Sequence, residues 1–358
     1  MPYVGRVPSA VPVTADDIPA NSIDASKIID GAIAVADVAD NAITEAKIAD
    51  AAVVSLKSGR KNLIINGGFD VWQRGTSVAT TSSAYGADRW TSGTNADITF
   101  SQQSFTVGQT DVPNEPAYYL RANKTGTDDD MGMVQHIEDV RTFAGKTVTL
   151  SFFVKGDSTY TGQVKISQDF GSGGSTTVTS TAQTINLTTS WQKIIYTITL
   201  PSISGKTIGS GSNLSMIIKH STAAAAGVFD IAQVQFEVGS VATDFEHRSY
   251  GEELALCQRY YQRGISNGAL GVSVHSTQAT FGFRLPVEMR SEPTVSLISG
   301  TTLSCDMTHI SGAVTWTPTE FRFKSKSGFT GYGAINSYGA LGNPIEPKVD
   351  NIQADAEL

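Results

Sequence analysis

Charge is scarce in this chain, and so are cysteine and aromatic residues. Of the 358 residues only 17% are charged and 8% are aromatic. Two cysteines, Cys257 and Cys305, are too few for a disulfide framework and lack the paired spacing of a zinc site. Basic residues are in the minority. With 34 Asp and Glu against 26 Lys and Arg, the net charge is −8, and the basic surface that phosphate contacts demand is missing. Nucleic acid is therefore not an expected partner. No stretch reaches the roughly 20 apolar residues of a membrane span, and Met1 to Arg6 opens no apolar run of signal-peptide length. The expectation is a chain neither inserted in a membrane nor exported by such a leader. His136, His220, His247, His275 and His309 show no metal or triad spacing, and no Gly-x-Ser-x-Gly elbow occurs.

What is present is patterning. From Ile18 to Val53 an aliphatic residue recurs at every fifth position: Ile18, Ile23, Ile28, Ile33, Val38, Ile43, Ile48 and Val53. A helix advances about 100° per residue and a strand changes side at every odd step, so a period of five keeps these residues on one face of neither. The segment must turn regularly. A coil this short would complete only about two turns, fewer than a solenoid needs to be stable alone, so the repeat is expected to require partners; an Ala/Asp-rich disordered linker is the other reading, against which the strict aliphatic spacing argues.

Beyond the polar junction Ser55 to Lys61 the composition shifts to short Thr/Ser/Val/Phe runs broken by Gly and Asn-Gly turns. Strands are expected at Asn62–Ile65, Thr147–Lys155, Gln163–Gln168, Thr176–Thr181, Gln192–Thr199, Leu214–Lys219 and Phe229–Glu237. Many short antiparallel strands point to a sandwich. Glu252 to Arg263 carries a helical stripe of Leu254, Cys257 and Tyr261, bounded by Gly251 and Gly264. Further strand patterns, from Gly271–Val274 to Glu320–Lys324, predict a smaller β-domain. The acidic, Pro-containing residues 343–358 read as a loose tail.

Several blocks resemble recurring segments of tailed-phage fibre proteins, in particular those of marine podophages. They are Asn62 to Gly75, Ala87-Asp88-Arg89-Trp90, Gln135 to Gly156, Glu252 to Tyr261 and Leu285 to Val295, together with the repeat that follows Met1-Pro2-Tyr3. Separately, Asn66 to Asp70, Phe229 to Glu237 and Thr243 to Glu246 are similar to the first and last strands of jelly-roll carbohydrate-binding modules.

The resemblance implies glycan contact through exposed aromatic rings, which cover the apolar face of a pyranose. Tyr118, Tyr119 and Trp191 are the candidates; Trp72 and Trp90 sit in blocks that read as structural. It also implies a structural calcium tying the first strand to the last, with Asn66, Asp70 and Asp230 in comparable places. The other reading of these residues is a turn at Asn66-Gly67-Gly68 and two solvated aspartates. Asp128-Asp129-Asp130 reads as a solvated loop. Polysaccharide cleavage would need two carboxylates facing one bond, whereas Glu138-Asp139 and Glu252-Glu253 are adjacent pairs in blocks that read as packing.

The expected chain is thus mainly β and not an enzyme. Residues 1–58 form an N-terminal virion-anchoring repeat segment, 59–249 a jelly-roll β-sandwich, 250–264 a linking helix, 265–342 a smaller C-terminal β-sandwich domain and 343–358 a tail. The resemblance implies a homotrimeric tail fibre in the virion, assembled in the host cytoplasm. Its N-terminus would meet tail or adaptor proteins, and its β-domains a host-surface glycan or lipopolysaccharide. A fibre that only anchors or spaces other components, and a depolymerising tailspike, are the alternatives.

Overall fold

A computed structural model describes residues 60–358 apart from 81–82, 94–97, 125–131, 160, 221–226, 266–269, 276, 301–302, 308–313, 337–343 and 348–350. The fivefold repeat, Ile18 to Val53, and the Asp128 to Asp130 triplet lie outside the described residues.

The larger unit is built from β1 (Ser77–Thr80), β2 (Thr91–Ser92), β3 (Ile98–Ser104), β4 (Tyr118–Lys124), β5 (Gly132–Ile137), β6 (Thr147–Gly156), β7 (Thr161–Asp169), β8 (Val178–Thr179), β9 (Gln183–Asn186), β10 (Gln192–Thr199), β11 (Asn213–His220) and β12 (Gly227–Val238). These make two six-stranded sheets, one in the order β1-β3-β4-β12-β6-β10 and one in the order β2-β5-β11-β7-β8, with β9 also paired to β7. Period-two alternation explains how the sheets face each other. In β6, Val148, Leu150, Phe152 and Val154 turn inward, and in β11, Leu214, Met216 and Ile218 do the same, joining one core. Each such side chain contributes about 1.5–3 kcal/mol through burial. Trp90 is fully buried in that core and Trp72 packs against it, so both are structural.

Asn62–Ile65, expected as a strand, forms no strand, although the Leu63 N–H still donates to the Phe236 carbonyl at 3.0 Å. A bulge in β12 between Ala232 and Gln235, with Gln233 at φ 49°, frees the Val234 N–H to bond the Gly67 carbonyl at 3.0 Å. The approach is so close that a Cβ on Gly67 would stand 2.2 Å from the Val234 oxygen, so the position requires glycine.

Helix α1 (Tyr250–Gln258) follows, opened by a capping box between Ser249 and Glu252. It is shorter than the expected Glu252–Arg263. Tyr261–Arg263 leaves the helix to form β13, because Tyr260 and Tyr261 are buried beneath guanidinium groups of the jelly roll and Tyr261 pairs in register with Asp355. No helix among the described residues is long and apolar enough to cross a membrane.

The remaining strands are β14 (Leu270–His275), β15 (Gln278–Arg284), β16 (Thr294–Leu297), β17 (Leu303–Met307), β18 (Val314–Ser325), β19 (Gly328–Ile335), β20 (Pro344–Pro347) and β21 (Ile352–Asp355). The smaller β-unit takes the form of a closed barrel, β14-β15-β19-β18-β17-β20, beside a three-stranded sheet, β13-β21-β16. The expected loose tail over 343–358 is corrected for its described residues, which include two strands, β20 and β21. Within them β21 is the central strand of its sheet, with Ile352 and Ala354 fully buried.

Candidate functional site

The second jelly-roll sheet presents an open cleft of about 300 Å³ on its outer face. Its floor follows from strand register. Because Met133, Ile137, Val164, Ile166, Leu214, Met216 and Ile218 face the core, the intervening residues of β5, β7 and β11 must face out. One row across the sheet is Thr91, Val134, Ile217 and Lys165. The next row sets His136 beside Ser215 and Ser167, and the row on the other side sets Lys219 between Gly132 and Gln163. Gly132 lies against both Lys219 and the rim residue Gly93, where a Cβ would meet their atoms at 3.6 and 3.7 Å. Ser83, Tyr85 and Gly93 form one rim and Leu358 closes an end, its carbonyl accepting the Tyr85 hydroxyl at 3.0 Å.

Burial raises the pKa of Tyr85, and nearby Glu357 adds to the effect, so the phenol remains a neutral donor. Burial lowers the pKa of His136, whose Nδ1 lies 3.2 Å from Asn213 Oδ1 and 2.9 Å from Ser215 Oγ. Apolar Val134 and Ile217, one aromatic wall and several hydroxyls make a surface suited to a sugar ring, whose C–H faces are apolar and whose edges are polar.

The residues expected to bind sugar are placed elsewhere. Tyr119 and Trp191 do come together, with ring centroids 5.3 Å apart, and both contact Phe105 at 4.8 and 5.3 Å. Lys155 Nζ lies 5.0 Å from the Trp191 ring. This cluster is on the outer face of the first sheet, opposite the cleft. Tyr118 alternates with Tyr119 along β4 and points to the other side of that sheet.

The three expected calcium ligands do not converge. Asn66, fully buried, is consumed by the turn: its Oδ1 accepts the Val71 N–H at 3.0 Å, its carbonyl accepts Trp90 Nε1 at 3.0 Å, and its Nδ2 donates to the Val71 and Asp88 carbonyls. Asp230 forms a two-pronged pair with Arg121, Nε and Nη2 each 2.8 Å from a carboxylate oxygen, with Lys155 Nζ at 3.8 Å. Asp70 lies beside Glu253 and His247; burial chiefly, then Glu253, raises its pKa. Among the described residues no group of three or more His, Cys, Asp or Glu side chains could hold a metal.

Protein groups tie the first segment to the last instead. Lys61 Nζ donates to Thr243 Oγ1 at 2.7 Å and to the Asp244 carbonyl at 2.6 Å. The backbone N–H groups of Lys61 and Asn62 donate to Glu246 Oε2 at 3.0 and 2.7 Å. The carboxylates weighed for hydrolysis are also engaged: Glu138 by Arg259 and Arg290, Asp139 by Arg141, Glu252 by Arg60 and Glu253 by Arg248. A larger cavity, about 600 Å³, lies between the jelly roll and α1, and its charged lining is taken up by several of these same ion pairs.

Residues 61–210 match the family model of the carbohydrate binding domain. That family is a non-catalytic one, and its span takes in the cleft floor on β2, β5 and β7. Among solved structures, a CBM4 structure is 20% identical, with 48% of this chain and 97% of that chain covered at a TM-score of 0.30. A family 11 carbohydrate-binding module from Clostridium thermocellum, in complex with a β-1,3-1,4-mixed-linked tetrasaccharide, is 17% identical over 47% of this chain and 99% of that one, at 0.30. The enzymatically active domain of bacteriophage CBA120 tailspike protein 4 is 12% identical over 49% of this chain and 21% of that one, at 0.31. No curated protein matches.

Reasoning from the sequence missed Tyr85, Val134, His136, Lys165, Ser215, Ile217 and Lys219. The signal was the outward half of the alternation in β5, β7 and β11, which becomes a surface only once those strands are known to be neighbours.

Proposed function

We propose that this chain is a virion tail-fibre subunit that recognises a host-surface glycan, or the glycan part of lipopolysaccharide, through the cleft on the second jelly-roll sheet. The observation that carries the reading is a sugar-sized cleft, floored by Val134 and Ile217 and rimmed by Tyr85, of which the β2, β5 and β7 part lies within the residues, 61–210, that match a carbohydrate binding domain. The fibre role draws its support from the sequence blocks that resemble tailed-phage fibres. Residues 1–58 act as the virion anchor and meet a tail or adaptor protein, because the repeated aliphatics from Ile18 to Val53 need a partner surface. The chain acts as a homotrimer in the virion tail, where three weak glycan sites reinforce one another through linkage.

The test is binding of the labelled full chain to host cells before and after periodate oxidation of surface sugars, with a variant lacking residues 1–58 in parallel. Periodate is expected to reduce binding of both proteins, and the truncated chain is expected to bind cells but fail to enter particles. Binding indifferent to periodate contradicts the glycan reading. Particles that retain the truncated chain contradict the anchor. Light scattering that gives a clean monomer for the full chain contradicts the trimer.

A further inference from the structure

We infer that the cleft selects an anionic glycan, one whose sugar rings carry carboxylate or sulfate groups; this rests on the glycan reading above. The chain as a whole is acidic, at −8. The cleft is the reverse. Its charged side chains are Lys165 and Lys219, and no Asp or Glu side chain is among the described residues that line it.

Register fixes how the two lysines act together. Lys165 stands directly opposite Ile217, and Lys219 follows two residues along the same strand, on the same face. That is the diagonal relation between neighbouring strands, at roughly 7–8 Å, so both ammonium groups border a single sugar ring laid over Ile217. Lys165 makes no salt bridge among the described residues, whereas Lys219 is engaged within the chain. The charge offered to a ligand is therefore carried by Lys165 first.

The chemistry of the lining points the same way. An ammonium group offers three donors and no acceptor. A neutral sugar, rich in hydroxyl donors, is commonly held by carboxylate acceptors, and this cleft supplies none from its described side chains. Covering Lys165 with a neutral ring would strip water from a charge without replacing it, which is unfavourable unless the ligand brings the opposite sign. A uronate or sulfated ring removes that cost. Its anionic group meets Lys165 while its C–H face lies on Val134 and Ile217. The acidic groups that act on the cleft from outside its lining are Glu357 and Asp355 on Tyr85, where Arg89 and Arg74 oppose them, and Asp169 on His136.

Calorimetry on the full chain tests this with three probes: an oligogalacturonate, the same oligosaccharide after reduction of its carboxyl groups, and a sulfated galactan oligosaccharide. At low ionic strength at least one charged probe is expected to bind about tenfold or more tighter than the neutral one, with the advantage shrinking as salt is added. Lys165→Gln is expected to remove that advantage, while Lys193→Gln, the same change of charge on the outer face of the other sheet, leaves it intact. Equal affinity for the charged and neutral probes, or an advantage that survives Lys165→Gln, overturns the inference and leaves glycan binding standing. No binding of any probe overturns both.

Discussion

The guanidinium of Arg89 lies 3.5 Å from the centroid of the Tyr260 ring. Arg89 belongs to the jelly roll and is 1% exposed, and its other partners are the Glu357 carboxylate and the His136 carbonyl. Beside it Arg74 covers Tyr261 at 3.5 Å and reaches Asp355 and Glu357 at 3.3 and 3.4 Å. Two arginines of the first unit thus hold the helix exit and β21 of the second. Arg89→Ala would leave the buried Glu357 carboxylate with Arg74 alone, a loss at the lower end of the roughly 3–5 kcal/mol for breaking a buried pair. Urea unfolding should show it; a loss under about 1 kcal/mol would mean the junction is held by other contacts.

The same junction makes residues 352–358 part of the fold. Ala354 is fully buried and its strand pairs on both sides. Ala354→Asp should lower the melting temperature sharply, because a carboxylate there has neither water nor a cation. An unchanged melting curve would restore the loose tail.

Asp88 supplies a pH dependence. Burial pushes its pKa up to about 6, opposed first by Arg74 and then by hydrogen bonds from Gln73. In the unfolded chain it titrates near the ordinary carboxylate value of about 3.9. Between these values the folded state binds more protons, so this group's contribution to stability is full below the lower pKa and is lost as pH rises towards the upper one. The loss is about 3 kcal/mol at 1.36 kcal/mol per unit. Denaturation midpoints for wild type and Asp88→Asn should therefore diverge between pH 4 and pH 6, with the variant gaining relative to wild type. Parallel curves would contradict this.

Lys61 ties the first segment of the jelly roll to the last through Thr243 and Asp244. The melting temperature should be the same in chelator and in excess calcium, and Lys61→Met should lower stability by about 1–2 kcal/mol through loss of two charge-assisted hydrogen bonds. Stabilisation by added calcium would show a metal site that Asn66, Asp70 and Asp230 do not form.

How much of this was legible in the sequence depended on whether the signal was local. Gln192–Thr199 was read to the residue, and β6, β7, β11 and β12 nearly so, since each alternates β-branched or aromatic residues within one strand. Ile352, Ala354 and Ala356 alternate with Gln353, Asp355 and Glu357 just as regularly, yet small apolar residues among acids resembled a tail. The helix was read too long because Tyr260 and Tyr261 continue its apolar stripe, and their real partners, Arg89 and Arg74, lie far upstream. Tyr118, Tyr119 and Trp191 stood out in the sequence as candidate sugar-contacting aromatics, but only the packing shows that Tyr119 and Trp191 meet, on the face opposite the cleft. His136, Lys165 and Lys219 become one site only through the pairing of β11 with both β5 and β7.

The most direct test of the central claim is a crystal structure of the full chain soaked with oligosaccharides cut from the host-surface polysaccharide. The account predicts sugar density over Val134 and Ile217, with a ring edge at Tyr85 and an anionic substituent at Lys165. Density against Phe105, Tyr119 and Trp191, with the cleft empty of sugar, would contradict it.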